Sequence, residues 1–243
     1  FADNDEINAK YAEAVEVMTS LGIIDGMTDT TFVPDGTLTR AQAAKIICVM
    51  LLGKDRVYAL ETPSYEVIER IYATVGVRYE LLPLSGDGID SGALFSSGAD
   101  VLHTTPYRSF PSGVTASASK RHEYIRWADR EGRYIIESDY GSEFAVSSQP
   151  METLFALADR DNVIYLNTFS KTISSSIRVG YMVLPESLTE PYYDRLGAFA
   201  CTVPTFEQYV LAELIGGGAF ERHINRVRRS MRRKLEKQGG VTE

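Results

Sequence analysis

Val163-Ile-Tyr-Leu-Asn-Thr-Phe-Ser-Lys-Thr172, followed by Arg178 and the apolar run Val179-Gly-Tyr-Met-Val-Leu184, is the stretch on which the fold of this chain turns. Val163 to Leu166 is a short run of β-branched and aromatic residues, the composition of a buried strand. Hydroxyl residues and a lysine follow it at once, where the strand gives way to a loop. Two uses suit a lysine there. It is a solvated loop cation, or it is an amine whose pKa is lowered enough by cationic neighbours or burial to form an imine with an aldehyde. Thr168 and Ser170 flank Lys171 with hydroxyls suited to a phosphate, and Arg178 has the fork geometry to pair with the same anion.

Outward from that stretch, short apolar runs alternate with amphipathic helices. Arg56-Val-Tyr-Ala-Leu60, Val77 to Leu82, Asp100-Val-Leu-His-Thr104 and Tyr134-Ile-Ile-Glu137 read as strands. Tyr65 to Val75 and Ser117 to Glu131 read as helices. Such alternation predicts βαβ units, hence a three-layer α/β/α fold around a mainly parallel sheet. Ligands of these sheets bind at the carboxyl ends of the strands. Chemistry is therefore expected just after Leu60, Thr104, Glu137 and Leu166.

The pattern before residue 54 is different. Tyr11, Val15, Met18 and Leu21 fall at helical spacing, and Gly22 ends that helix. Asp25-Gly26 and Pro34-Asp35-Gly36 punctuate a loop. Thr39 caps a second helix, with Gln42 three residues on in a capping-box arrangement. Residues 1–53 thus read as a small all-α helix–loop–helix module, and residues 55–243 as the α/β domain.

Composition narrows the function. At 243 residues the chain suits one large domain or two unequal ones, and 44% hydrophobic with 24% charged residues fits a globular protein. A net charge of −8 argues against nucleic acid as the main partner. Cys48 and Cys201 have no CxxC or Cys/His neighbourhood, so they read as small apolar fillers and no metal site is expected. No apolar run reaches the ~20 residues of a membrane helix. The chain begins at Phe1 without a signal peptide, which favours the cytoplasm, with processing upstream left open. Arg222, Arg226, Arg228, Arg229, Arg232, Arg233, Lys234 and Lys237 make the tail basic. It reads as a solvated helix with Ile224, Val227, Met231 and Leu235 on its buried stripe, or as a polyanion-binding segment without spaced aromatics for base stacking.

Two resemblances follow from these residues. Phe1-Ala-Asp3, Tyr11-Ala-Glu-Ala-Val15, Gly22-Ile-Ile-Asp-Gly26, Phe32-Val-Pro34 and Leu38-Thr-Arg-Ala-Gln-Ala-Ala44 resemble one S-layer homology module. Such modules hold proteins on the bacterial cell wall through acidic polysaccharides. The resemblance implies Arg40 as a ligand contact, and a guanidinium suits a carboxylate-bearing sugar.

The second is to the pyridoxal-phosphate lysine region of fold-type I aminotransferases, carried by Val163 to Thr172 with Arg178-Val-Gly-Tyr181. Glu61-Thr-Pro-Ser-Tyr65, Thr105-Pro-Tyr-Arg-Ser-Phe-Pro-Ser-Gly-Val114 and Ile135-Ile-Glu-Ser-Asp-Tyr-Gly-Ser-Glu-Phe144 follow the same pattern, most similar to the aminotransferase-like domain of MocR-type regulators in the GntR family. The resemblance implies pyridoxal 5'-phosphate as cofactor and a transaminase acting on an amino acid and a keto acid, in a homodimer. Lys171 would be the Schiff-base lysine, moving the α-proton as base and acid. Thr168, Ser170 and Arg178 would hold the phosphate, Tyr140 would donate to the phenolic oxygen, and Tyr65 would stack on the ring. The Pro111-Ser112-Gly113 turn would shape the pocket floor.

The departures are as informative. Where the family has an aspartate facing the pyridinium nitrogen, two residues before Tyr140, this chain has Ser138. A hydroxyl cannot supply the charge that makes the ring an electron sink. Asp139 and Glu137 are adjacent in an extended segment and point to the opposite face. Transamination is therefore expected to be impaired, with imine formation retained. The family's glycine-rich phosphate turn, its smaller C-terminal domain with the substrate arginine, and the winged helix of MocR-type regulators have no counterpart here, so DNA is not an expected partner. The alternative is a non-catalytic protein that binds cell-wall polysaccharide through the S-layer-like module, with the aminotransferase part as scaffold.

Overall fold

The computed structural model describes residues 51–130, 132–139, 141–144, 151–174, 177, 179–197, 201 and 203–237, together with residue 16. Seven strands form one sheet: β1 (Val57–Thr62), β2 (Arg78–Ser85), β3 (Gly88–Ile89), β4 (Val101–Thr104), β5 (Tyr134–Ser138), β6 (Val163–Thr168) and β7 (Gly180–Val183). Their order is β3-β2-β1-β4-β5-β6-β7. The five strands from β2 to β6 run parallel, and β3 and β7 are antiparallel edges. The fold class expected from the sequence is the one observed.

Alternation along each strand builds two cores, because neighbouring side chains leave on opposite faces. Tyr58, Leu60, Val101, Ile136 and Ile164 point to one face. There they meet Tyr72 and Val75 of α1 (Glu66–Val75), and Leu196 of α6 (Thr189–Leu196). Ala59, Leu102, Ile135 and Val163 point to the other. There they meet Leu94 of α2 (Ser91–Ser96), Tyr124 and Trp127 of α3 (Ala118–Ala128), and Leu154 of α4 (Leu154–Leu157). Each fully buried large side chain contributes about 1.5–3 kcal/mol. Helices on both faces of the sheet give the three layers.

Local chemistry sets the boundaries. The Asp90, Ser117 and Thr153 side chains cap α2, α3 and α4 by accepting from Ala93, Lys120 and Ala156 N–H. Gly76 ends α1 in the left-handed region at φ 72°, which a residue with a Cβ adopts only at a cost. After β6 come α5 (Phe169–Thr172), α7 (Thr205–Gly216) and α8 (Ala219–Lys237). Phe169, Val179 and Leu211 form a third cluster there with Phe220. In the tail helix Ile224 is buried and Val227 half-buried, whereas Met231 is exposed, so the predicted apolar stripe is interrupted there; the Leu235 side chain lies outside those described. Cys201 is also exposed rather than a core filler, since it lies on the surface segment leading to α7; Cys48 lies outside the described residues.

The chain leaves β1 first for β2 on one side and later for β4 on the other. This reversal at β1/β4 is a topological switch point, where a crevice opens beyond the strand ends. Among the described residues no helix is long and apolar enough to cross a membrane.

Candidate active site

The carboxyl ends of β1, β4, β5 and β6 converge on a set of buried polar groups, unusual where strands are otherwise apolar. At the switch point Leu60, Glu61, Ser64, Ile68, His103 and Thr105 line a small crevice. Glu61 is buried and fully engaged. It accepts from the hydroxyls of Ser109 (2.5 Å) and Thr104 (2.7 Å) and from the Thr105 N–H (3.1 Å). Burial pushes its carboxyl above the usual range despite these bonds. Its role is to pin the turn that carries Pro111, Ser112 and Gly113 against β1, across the Ser109 link.

His103 and Ser138 share a face, because His103 pairs with Ile136 and Ser138 lies two residues further along β5. His103 Nε2 lies 3.1 Å from Ser138 Oγ, and Nδ1 lies 3.0 Å from the Tyr72 hydroxyl. The neighbouring carboxylates face elsewhere. Asp139 accepts from the N–H groups of Gly141 (2.9 Å) and Ser142 (2.8 Å) and from the Tyr165 hydroxyl (2.7 Å). Glu137 accepts from Leu154 N–H (2.8 Å), Phe155 N–H (2.9 Å) and the Tyr107 hydroxyl (3.0 Å). Both carboxylates are thus engaged away from Ser138.

Burial pushes Glu137 up to about 7, against its hydrogen bonds. The unfolded chain releases this proton near the ordinary glutamate value, and the folded chain holds it to about 7. The folded state therefore binds more protons across that window, and stability falls as pH rises through it. We expect a loss of about 1–3 kcal/mol between pH ~5 and ~7 in urea unfolding, largely removed in Glu137→Gln. An equal loss in the variant would place its origin elsewhere.

Lys171 lies in α5, directly beyond β6, and is exposed. The short helix is started by Thr168, whose side chain accepts from the Ser170 N–H (3.2 Å). Asn167 Nδ2 donates to the Tyr165 hydroxyl (2.8 Å) and to Glu143 Oε1 (3.2 Å), linking β6 to the turn Ser142–Phe144. Burial raises the Glu143 carboxyl, and the positive charge of Lys171 works in the opposite direction. From α8, His223 Nε2 reaches the Thr172 carbonyl at 2.8 Å, and the Arg228 guanidinium donates to the Glu143 carbonyl. The tail helix thus braces the lysine turn from behind.

Gly141 fixes where the amine goes. Its φ is 118°, and a Cβ there would stand 2.7 Å from Lys171 Nζ. Lys171, just beyond β6, therefore reaches across toward the segment following β5. Gly141→Ala is expected to cost about 1–3 kcal/mol in backbone strain and to displace the amine. Thermal unfolding reads the first effect. The yield of borohydride-fixed pyridoxal phosphate on Lys171 reads the second, and unchanged yield would show that the amine does not need this gap.

The remaining predicted residues fall as follows. Thr168 and Ser170 lie beside Lys171, but their hydroxyls now donate to the carbonyls of Val179 (3.0 Å) and Ile177 (2.5 Å). To serve an anion they would have to turn away from the main chain. Tyr65 precedes α1, is 49% exposed and meets Phe110 edge-on at 6.1 Å. Tyr140, Arg178 and Arg40 lie outside the described residues, as does nearly all of the 1–53 module. His103, Glu61 and Tyr72 were not singled out from the sequence. For Glu61 and His103 the signal was a polar residue near the end of an apolar strand; Tyr72, inside α1, carried none. Among the described residues no group of His, Cys, Asp and Glu could hold a metal ion.

These residues fit pyridoxal phosphate in part. An amine sits across the ends of two strands, hydroxyls flank it, and the end of β5 offers the Ser138 hydroxyl rather than the carboxylate that the resemblance leads one to expect.

Comparison with known proteins agrees with this fold. The family model for aminotransferase class I and II matches residues 33–240, and that for the S-layer homology domain matches residues 1–44, so the two overlap at 33–44. The chain is 31% identical to the HTH-type transcriptional regulator YdeL of Bacillus subtilis, over 72% of this chain and 38% of the relative. It is 28% identical to the pyridoxine biosynthesis regulator PdxR of Corynebacterium glutamicum, over 83% of this chain and 44% of that one. It spans about two-fifths of the length of the curated relatives it matches. Among solved structures, LysN, an α-aminoadipate aminotransferase of Thermus thermophilus complexed with N-(5'-phosphopyridoxyl)-L-leucine, superposes with a TM-score of 0.69 at 28% identity, covering 82% of this chain and 53% of that one. The kynurenine aminotransferase of Pyrococcus horikoshii, in complex with PMP, gives 0.68 at 26% identity, covering 78% and 49%.

Proposed function

This chain belongs to the class I and II aminotransferase family, and on that premise we propose that it binds pyridoxal 5'-phosphate through Lys171 and acts on amino acids and keto acids, with amino-group transfer weakened at Ser138. The observation that carries this reading is the placement of the Lys171 amine over Gly141, between the ends of β5 and β6. Pyridoxal phosphate, when bound, supplies an aldehyde for a lysine amine and a ring that accepts electrons. Lys171 provides that amine and then holds or returns the proton taken from a substrate carbon. Thr168 and Ser170 would hold the phosphate by turning their hydroxyls from the Val179 and Ile177 carbonyls, with Arg178 and Tyr140 adding a guanidinium and a phenol. Tyr65 would stack on the ring. A homodimer and a cytoplasmic setting belong to the same proposal.

In this reading residues 55–243 form part of an aminotransferase large domain, and residues 1–53 an S-layer-like module. The S-layer homology match supports a second reading, binding of cell-wall polysaccharide through Arg40 with the rest as scaffold. Sedimentation with purified cell walls, lost in Arg40→Ala, would favour it. The first reading is tested by adding pyridoxal phosphate to the purified chain and dialysing. Retained cofactor absorbance supports it, and none in a folded sample sinks it.

A further inference from the structure

Ser138 does not stand alone at the end of β5. Tyr72, His103 and Ser138 are 1%, 3% and 4% exposed, and they form one hydrogen-bonded line across α1, β4 and β5. Burial pushes the His103 imidazolium down to about 4, so the ring is neutral at physiological pH and carries one N–H and one lone pair. Two polarities are then available. Either Tyr72 donates to Nδ1 and Nε2–H donates to Ser138, or Ser138 donates to Nε2 and Nδ1–H donates to Tyr72.

The chemistry of the two ends decides between them. A phenol is a stronger donor and a weaker acceptor than an alkyl hydroxyl, and an imidazole lone pair is a better acceptor than a phenol oxygen. The favoured pairing puts the lone pair toward Tyr72 and the N–H toward Ser138. Ser138 then accepts from the imidazole and keeps its own proton to give away. Among the described residues lining the crevice near His103, the carboxylate is Glu61, which is occupied by Thr104, Thr105 and Ser109.

We infer that His103 is a positioning residue that fixes the direction of the Ser138 hydroxyl, so that the floor of the site offers a neutral hydrogen-bond donor to an aromatic ring nitrogen. This rests on the reading that the site takes pyridoxal phosphate. A ring nitrogen that accepts from a hydroxyl stays uncharged. The site therefore suits steps that place little negative charge on the ring, such as exchange of the imine between Lys171 and an incoming amine. It disfavours amino-group transfer, which needs the full electron sink.

Nitrogen NMR on the full chain tests this in two states. In the cofactor-free protein His103 should carry its proton on Nε2; a proton on Nδ1 overturns the inference without any variant. With ring-¹⁵N pyridoxal phosphate bound, the ring nitrogen should show the shift of a neutral, hydrogen-bonded pyridine. Ser138→Ala and His103→Leu should both move it toward an unbonded pyridine and weaken cofactor retention about tenfold. His103→Gln, which keeps an N–H near Nε2, should restore the original shift. A pyridinium shift in the unaltered protein, or no change in His103→Leu, overturns the inference while leaving the Lys171 reading intact. Failure of Lys171 to form any reducible adduct removes both.

Discussion

Lys171→Ala should fold as the parent does and lose the cofactor on dialysis. Lys171 is exposed at the surface of α5 and supports no core cluster, so truncating it removes an amine rather than packing. What it removes is the amine that the account places at the strand ends to bind an aldehyde covalently. Retention should therefore fall by at least about a hundredfold, leaving only the noncovalent contacts of phosphate and ring. Circular dichroism and thermal unfolding check the fold, and absorbance after dialysis checks the loss. Retention equal to the parent's would mean that the cofactor is held elsewhere or by other contacts, and the role given to Lys171 would fall.

Ser138→Asp should act in the opposite direction. The new carboxylate would stand about where Ser138 Oγ stands, 3.1 Å from His103 Nε2. It would draw a proton to the imidazole and, with cofactor bound, to the ring nitrogen as well. A charged ring stabilises the electron pair released when a substrate proton leaves. The half-reaction with an amino acid should quicken on the order of a hundredfold, comparable to adding one well-placed electrostatic contact in a water-poor site. Single-turnover loss of cofactor absorbance measures it. A buried carboxylate can also unfold the protein, so unfolding by urea is measured beside it. A folded variant with cofactor bound and no rate gain would show that Ser138 does not limit transfer.

Much of this architecture was legible in the sequence. The strands at Val57–Thr62, Tyr134–Ser138 and Val163–Thr168 are short apolar runs closed by polar residues, and α1 and α3 carry clear helical spacing. The two-residue strand Gly88–Ile89 and the four-residue helix Leu154–Leu157 are too short for any periodicity to mark them. Helices α6 and α7 were not marked either: α6 has one buried residue, Leu196, and the apolar residues of α7 are spread around it, with Phe206 and Tyr209 exposed.

The candidate site divides in the same way. Lys171 stands out because a lysine directly after an apolar strand is unusual. Ser138 stands out because it breaks a motif. His103 does not stand out, since a histidine in an apolar strand reads as a packed residue. Its meaning appears only when parallel pairing brings β4 against β5, joining residues 35 apart in sequence. The hydroxyls of Thr168 and Ser170 show the converse. Their spacing suggests an anion site, and their hydrogen bonds to Val179 and Ile177 show the competing main-chain partners that an anion has to displace.

The most direct measurement is borohydride reduction of the purified chain with pyridoxal phosphate, followed by mass mapping of its peptides. A single reduced adduct on Lys171 is the predicted result. Adducts scattered over the lysines, or none on Lys171 in a folded sample, would contradict the account.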